Sequence, residues 1–308
     1  MQSTFSEQVR LLVRVLSLVA KERCFALKGG TAINLFYRDM PRLSVDIDLA
    51  YLPLRNRDES LEAIDAALKR IEEGIRQGLP GAEITRAFLS DTKRCIRLTV
   101  RYGGSQVKIE VTPVLRGSVH DPMEKELSPT AAQRFGYVKM QLLSFEDLYG
   151  GKICAALDRQ HPRDLFDVKL LLENEGIDTA LKNTFLVYLL SHNRPMAEML
   201  APHRKEIDAL FEKEFRGMTE REIIVDALVE TRERLIETIH AKIEEKDKAF
   251  LHSFKAGEPE WELFAYPQAA KLPAVRWKLH NVQKMSKSKR QTALEKLDEI
   301  LSNIGATR

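Results

Sequence analysis

The residues of this chain that could do chemistry together stand close to its N-terminus. Lys28-Gly29-Gly30-Thr31 is followed, after a short apolar run, by Arg42-Leu43-Ser44-Val45-Asp46-Ile47-Asp48. Asp46 and Asp48 alternate with Val45, Ile47 and Leu49, the period of a strand buried on one side, so both carboxylates point to the other side. Carboxylates that close repel each other, and the usual resolution in an active site is a divalent cation. Glycines ahead of a helix start leave backbone N–H groups open to a phosphate, which the helix N-terminus favours electrostatically. Taken together the two segments suggest a metal-bound nucleotide. An isolated Asp-x-Asp is usually a solvated acidic pair, so a third acid matters: Glu110, in Lys108-Ile109-Glu110, lies on a later strand opposite the apolar set Val107, Ile109 and Val111.

These residues need a scaffold, and its elements are legible. Residues 24–27 form a short apolar strand that ends at the glycine turn, the apolar run from Ile33 to Tyr37 continues as a helix, and residues 45–52 form the carboxylate-bearing strand. A charged helix over residues 58–77 stops at Gly78-Leu79-Pro80-Gly81. Ile96, Leu98, Val100 and Tyr102 alternate, Gly103-Gly104-Ser105 turns the chain, and Val107, Ile109 and Val111 alternate back as a hairpin. After an extended piece at 137–143, Ser144 with Asp147 opens a helix through Leu157, and Pro162 opens another through Leu172. The first helix carries Leu12, Val15, Leu16 and Val19 on one face, with a capping box predicted at Thr4 and Glu7. Beyond residue 172 the periodicity is helical, most plainly over residues 222–243. The expected fold is α/β (α+β): a domain with a mixed sheet over residues 1–172, then a helical domain over 173–308.

Composition narrows the class. The 308 residues are 44% hydrophobic and 30% charged with a net charge of +3, which excludes a disordered chain. No stretch approaches the ~18 apolar residues of a membrane span. Three widely spaced cysteines, Cys24, Cys95 and Cys154, build neither a disulfide framework nor a zinc site, which suits a reducing cytoplasm. Charge is uneven: residues 201–260 carry 11 basic and 15 acidic side chains, and residues 271–308 carry 9 and 3. Lys284, Lys287, Lys289 and Arg290 form the densest basic group, as a phosphate backbone or a solvated helix face would use. Lys284-Met285-Ser286-Lys287-Ser288 spells an ATP-loop signature of class I aminoacyl-tRNA synthetases, but it has no His-x-Gly-His partner. Gly151-Lys152 lacks the earlier glycine of a phosphate-binding loop.

Gly29-Gly30-Thr31 followed by Arg42-x-Ser44-x-Asp46-x-Asp48 resembles the first motif of polymerase-β-type nucleotidyltransferases, in the variant of the AbiEii (MenT-like) toxins of type IV toxin–antitoxin systems. Glu110 matches the third acidic ligand. Lys152 with Ala155-Ala156, and Arg163-Asp164-Leu165-Phe166-Asp167, match the family's lysine helix and its RDxxD segment; Arg276-Trp277-Lys278-Leu279-x-Asn281 is similar to its C-terminal signature. The family pattern usually has serine where Thr31 stands, and often aspartate where Glu110 stands. The resemblance implies that Asp46, Asp48 and Glu110 hold two Mg²⁺ ions, with Mn²⁺ as a substitute, and that Gly29, Gly30 and Thr31 cradle the phosphates. Arg42, Ser44, Lys152 and Asp167 would line the nucleotide; Asp164 either joins them or caps its helix. It further implies transfer of NMP from an NTP to the 3′ end of tRNA, blocking translation, and a winged-helix antitoxin as partner. A small hydroxylated acceptor such as an aminoglycoside, and an inactive nucleotide-binding interaction protein, are the alternative readings.

Overall fold

The computed structural model describes residues 3–219 and 221–305. It divides into two compact units, one of Met1–Ser144 with Met218–Arg221 and one of Phe145–Gly217 with Glu222–Arg308.

The first unit is built on a seven-stranded mixed sheet of order β3-β4-β5-β2-β1-β7-β6. Its strands are β1 (Phe25–Lys28), β2 (Asp46–Tyr51), β3 (Glu83–Phe88), β4 (Cys95–Tyr102), β5 (Ser105–Val111), β6 (Met123–Glu126) and β7 (Lys139–Leu142). β2 runs antiparallel to β1 and parallel to β5, and β4 and β5 form the expected hairpin with Tyr102 opposite Ser105. Gly103 and Gly104 make its two-residue turn with φ of +56° and +78°, the left-handed pair that suits right-twisted strands. The two edge strands, β3 and β6, were not legible. Each is largely exposed along its length, so neither shows the apolar alternation by which a strand is recognised.

Among the described residues, two long helices and two short ones accompany the sheet. Helix α1 (Ser3–Val19) buries Leu12, Val15, Leu16 and Val19 as expected. It begins at Ser3, so Thr4 already lies inside it; the capping box proposed there involves side chains outside the described residues. Helix α2 (Gly29–Ala32) passes directly into a wider turn over Ile33–Tyr37, closed by the Arg38 N–H donating to Ile33 O. Helix α3 (Arg57–Gly78) is capped by Asn56, whose side chain accepts from the Glu59 N–H at 2.9 Å. Helix α4 (Pro129–Phe135) precedes β7.

The second unit is helical: α5 (Phe145–Arg159), α6 (Pro162–Asn174), α7 (Thr179–Ser191), α8 (Met196–Leu200), α9 (Asp208–Glu214), α10 (Val225–Lys242), α11 (Glu245–Ala256), α12 (Pro273–Gln283) and α13 (Lys287–Asn303). The division falls at Ser144/Phe145 and not at 172/173, because α5 and α6 find their packing partners in α7 and α10. Gly150 and Gly151 are the reason α5 lies so close to α7. A Cβ at Gly150 would stand 3.1 Å from Tyr188 Cδ2 and 3.3 Å from the Phe185 nitrogen, so these glycines serve helix packing. Lys182 and Asp247, each 2% exposed, tie α7 to α11 through a 2.5 Å ion pair. Phe250, Phe254, Trp261 and Phe264 form an aromatic cluster around α11, with Phe250 and Phe264 stacked at 4.3 Å. No described helix is long and apolar enough to cross a membrane.

Replacing Gly104 by valine forces a β-branched residue into the left-handed region at the hairpin turn. The variant should lose about 1–3 kcal/mol in chemical denaturation; an unchanged midpoint would mean that the turn can be rebuilt at no cost.

Candidate active site

Strand register assembles the site. Asp48 on β2 pairs with Glu110 on β5 and with Lys28 on β1, and Glu110 pairs with Arg97 on β4. Directly opposed residues share a face, so one row crosses four strands as Arg97, Glu110, Asp48, Lys28: two like charges inside, two cations outside. Asp46, two residues back on β2, shares that face and is exposed, while Ile47 and Leu49 between and beyond the aspartates are buried. Arg97 grips Glu110 with both ends of its fork, Nε to Oε2 and Nη2 to Oε1, each at 3.0 Å. That pair, with Asp46 adding charge, holds the Arg97 guanidinium even more firmly protonated than usual.

The start of α2 lies against the same face. Gly29 has φ +73°, and a Cβ there would stand 2.5 Å from Asp48 Oδ2, so glycine is required on both conformational and steric grounds. A Cβ at Gly30 would fall 2.7 Å from Arg42 Nη2 and 2.8 Å from Ser44 Oγ. Arg42 and Ser44 are thereby brought to Gly30, as Asp48 is to Gly29. Arg42 is only 4% exposed and donates from Nη1 to Leu43 O at 2.7 Å. Its backbone is fixed by the returning segment: the Leu43 N–H donates to Met218 O at 3.0 Å, and Arg42 bridges Thr219. The Thr31 hydroxyl is engaged in the framework. It donates to Asp46 O at 2.5 Å and lies 3.0 Å from Ser44 Oγ in a second hydrogen bond, fastening α2 to β2. Asn34 bonds within its own helical segment, its Nδ2 donating to Gly30 O at 2.9 Å.

A cation would find hard oxygen donors in Asp46 and Asp48 beside a backbone that a Cβ would obstruct, which suits a magnesium-sized ion. Among the described residues no three His, Cys, Asp or Glu side chains converge on one point, because Glu110 is turned to Arg97. The carboxylates are adjacent and the third is held by a partner that sequence reading missed. The signal was available: in a hairpin turning at Gly103-Gly104, residue 97 stands opposite residue 110.

The remaining candidates belong to the second unit. Lys152 on α5 is 7% exposed and its ammonium lies 2.9 Å from Asp164 Oδ1 and 2.9 Å from Asp167 Oδ2, both on α6. Arg159 reaches Asp164 Oδ2 at 2.8 Å. Burial alone would raise the Asp164 carboxyl, but Lys152 and Arg159 override it and hold its pKa below the usual carboxylate value. Neither aspartate caps α6: His161 does, its Nδ1 accepting from the Arg163 N–H at 3.1 Å, since the aspartates are turned inward to Lys152. In the C-terminal signature, Lys278 donates to His192 O and Arg194 O, each at 2.6 Å, and burial lowers its pKa to about 8.

Comparison with known proteins bears on this arrangement. The sequence model of the family described as "Nucleotidyl transferase AbiEii toxin, Type IV TA system" matches residues 10–281. Among solved structures, the fold is similar to MenT4, the nucleotidyltransferase toxin Rv2826c from Mycobacterium tuberculosis H37Rv, with a TM-score of 0.58 and 14% identity over 95% of this chain and 93% of that one. No curated protein sequence matches.

Two substitutions test the geometry. Gly81 has φ +87° with nothing within 4 Å of an added Cβ, so Gly81→Ala carries the backbone penalty alone, whereas Gly29→Ala adds the collision with Asp48. Gly29→Ala should therefore cost clearly more than the about 1 kcal/mol expected of Gly81→Ala; equal losses in thermal unfolding would mean that Asp48 does not lie against Gly29.

Lys152→Met removes the ammonium that two buried carboxylates share and should cost about 3–5 kcal/mol near neutral pH. Asp164 has a depressed folded-state pKa, so the stability from its pairing is present above an unfolded value of about 3.9 and lost as pH falls through the folded one. The gap between wild type and Lys152→Met should narrow below about pH 4, and a gap independent of pH would argue against an ionic role.

Proposed function

The chain belongs to the AbiEii family of nucleotidyl transferase toxins of type IV toxin–antitoxin systems, and from that premise we propose that it moves NMP from an NTP to the 3′ end of tRNA and so blocks translation. It is a nucleotidyltransferase toxin, and its type of system implies an antitoxin partner. For that partner the resemblance suggests a winged-helix protein.

The observation that carries the reading is the charged row of the sheet, with Asp48 and Glu110 paired across β2 and β5 and Gly29 closed against Asp48. In this reading Asp46, Asp48 and Glu110 are the ligands of Mg²⁺ or Mn²⁺, which when bound activates the attacking hydroxyl and neutralises charge on the departing pyrophosphate. The chain's own residues do the positioning. Gly29 and Gly30 present backbone N–H groups to the β and γ phosphates. Arg42, buried beside Gly30, supplies a fixed cation to the same phosphates, and Ser44 a hydroxyl. Thr31 contributes by holding the glycines to β2. The 271–308 segment, with 9 basic and 3 acidic residues, suits a polyanionic acceptor better than a small one.

The test is incubation of the purified protein with total tRNA and each radiolabelled NTP in turn. Label should enter tRNA with one preferred NTP in the presence of Mg²⁺ and disappear with EDTA. Asp48→Ala should reduce labelling at least about 1,000-fold without loss of thermal stability, since removing the carboxylate relieves repulsion from Glu110. Near wild-type labelling by Asp48→Ala would overturn the ligand assignment. Label passing to an aminoglycoside and not to tRNA would overturn the acceptor.

A further inference from the structure

Trp277 is 56% exposed on α12, one of the few large hydrophobic side chains that the fold leaves in solvent. Its ring faces that of His280, one turn along, at a centroid distance of 6.0 Å and a tilt of 33°. Arg276, His280, Asn281 and Lys284 are exposed around it, and the helix rests on the core through Ala274, Val275 and Val282 on its other side. Trp277 is thus not a core residue at the margin. The other tryptophan, Trp261, is packed among Phe250, Phe254 and Phe264.

The charge of the sequence around Trp277 is one-sided. From residue 263 to 294 the sequence contains seven lysines and arginines, His280, and no acidic residue. Elsewhere most arginines of the chain are paired with carboxylates. Among the described residues, Arg276, Lys284, Lys287, Lys289 and Arg290 make no ion pair. Lys278, half-buried, is committed to the backbone carbonyls of residues 192–194 and so holds α12 in place. An exposed aromatic face with Arg276 beside it and Lys284 at the end of its helix, both without carboxylate partners, is the chemistry that holds a single-stranded nucleic acid: bases stack on the ring, and phosphates meet the cations.

We propose that the α12 face is a stacking platform for an unpaired stretch of RNA, with Trp277 under a base and Arg276 and Lys284 on the flanking phosphates. A docked protein would bury the indole equally well, but its surface would have to supply an array of carboxylates to meet cations that have no partners here; an RNA strand supplies phosphates by construction. The proposal deepens the acceptor reading above and rests on RNA being the acceptor. It adds what the basic composition alone cannot: a preference for unpaired over paired nucleotides.

The experiment is a titration of the full-length protein, without NTP or divalent cation, into a 12-nucleotide fluorescein-labelled single-stranded RNA and into the same sequence annealed as a blunt duplex, read by anisotropy of the label, with the tryptophan emission of wild type followed alongside. Trp277 should be quenched by the single strand, and Trp277→Ala should weaken its binding by about 5- to 150-fold, the range expected for one base–aromatic stack. Trp277→Phe should restore most of the affinity. Arg276→Ala with Lys284→Ala should flatten the log–log salt dependence by about 0.7 for each phosphate left without its cation. Thermal unfolding of Trp277→Ala should match wild type. If the single strand binds Trp277→Ala and wild type equally, the platform is overturned and the face passes to a protein partner, while labelling of tRNA stands unaffected. If wild type binds no RNA and labels none, the platform and the acceptor reading both fall.

Discussion

The first unit is organised around an unfavourable contact. Register places Asp48 directly across from Glu110, and like charges so placed destabilise a sheet. Glu110 is offset by Arg97 on β4, which grips it with both ends of its fork, while Lys28 on β1 stands in register with Asp48. The neighbourhood of these charges is correspondingly constrained. Position 29 must be glycine because Asp48 occupies the space a side chain would need, and α2 is fastened to β2 by Thr31. A sheet that kept only its own stability in view would not place two carboxylates there; a row of this kind is what the proposed nucleotidyl transfer calls for.

The second unit resolves buried charge differently. Lys152 and Lys182 are both nearly inaccessible, and each is neutralised within hydrogen-bonding distance, Lys152 by two carboxylates of α6 and Lys182 by one of α11. Pairs of this kind add little net stability over an apolar packing of equal volume, but they penalise any arrangement in which one partner is missing. They therefore fix which helices meet and in what register. Asp164 and Asp167, three residues apart on α6, both reach Lys152 because that spacing places them on one helix face.

Much of this was readable without coordinates. Alternation over residues 45–49 was enough to place Asp46 and Asp48 on one face of their strand, and alternation over 107–111 to place Glu110 on the unburied face of its own; the resemblance joined the two, and the strand register bears that out. The edge strands β3 and β6 were not readable, since exposure on both faces erases the period. Arg97 was missed for a different reason: within β4 it reads as one more polar residue, and only its cross-strand neighbour gives it a role. The helices α5 and α6 were expected in the first domain because their motifs resemble part of a nucleotidyltransferase signature, yet packing groups them with α7 and α10. Motif membership follows chemistry, whereas compactness follows where the apolar face is buried.

The return of Met218–Arg221 to the first unit has a consequence for synthesis. Leu43 takes its backbone partner from Met218, a residue made long after the sheet that carries Arg42 and the aspartates. At about 5–20 residues per second, the intervening chain takes on the order of ten to thirty seconds to translate. During that interval the nascent first unit lacks the returning segment that pairs with the Arg42 backbone. For a protein toxic to the cell that makes it, this delay links completion of the site to completion of most of the chain. An abortive product ending near the first unit's boundary at Ser144 would carry all three acids and both glycines without the clasp that sets their arginine.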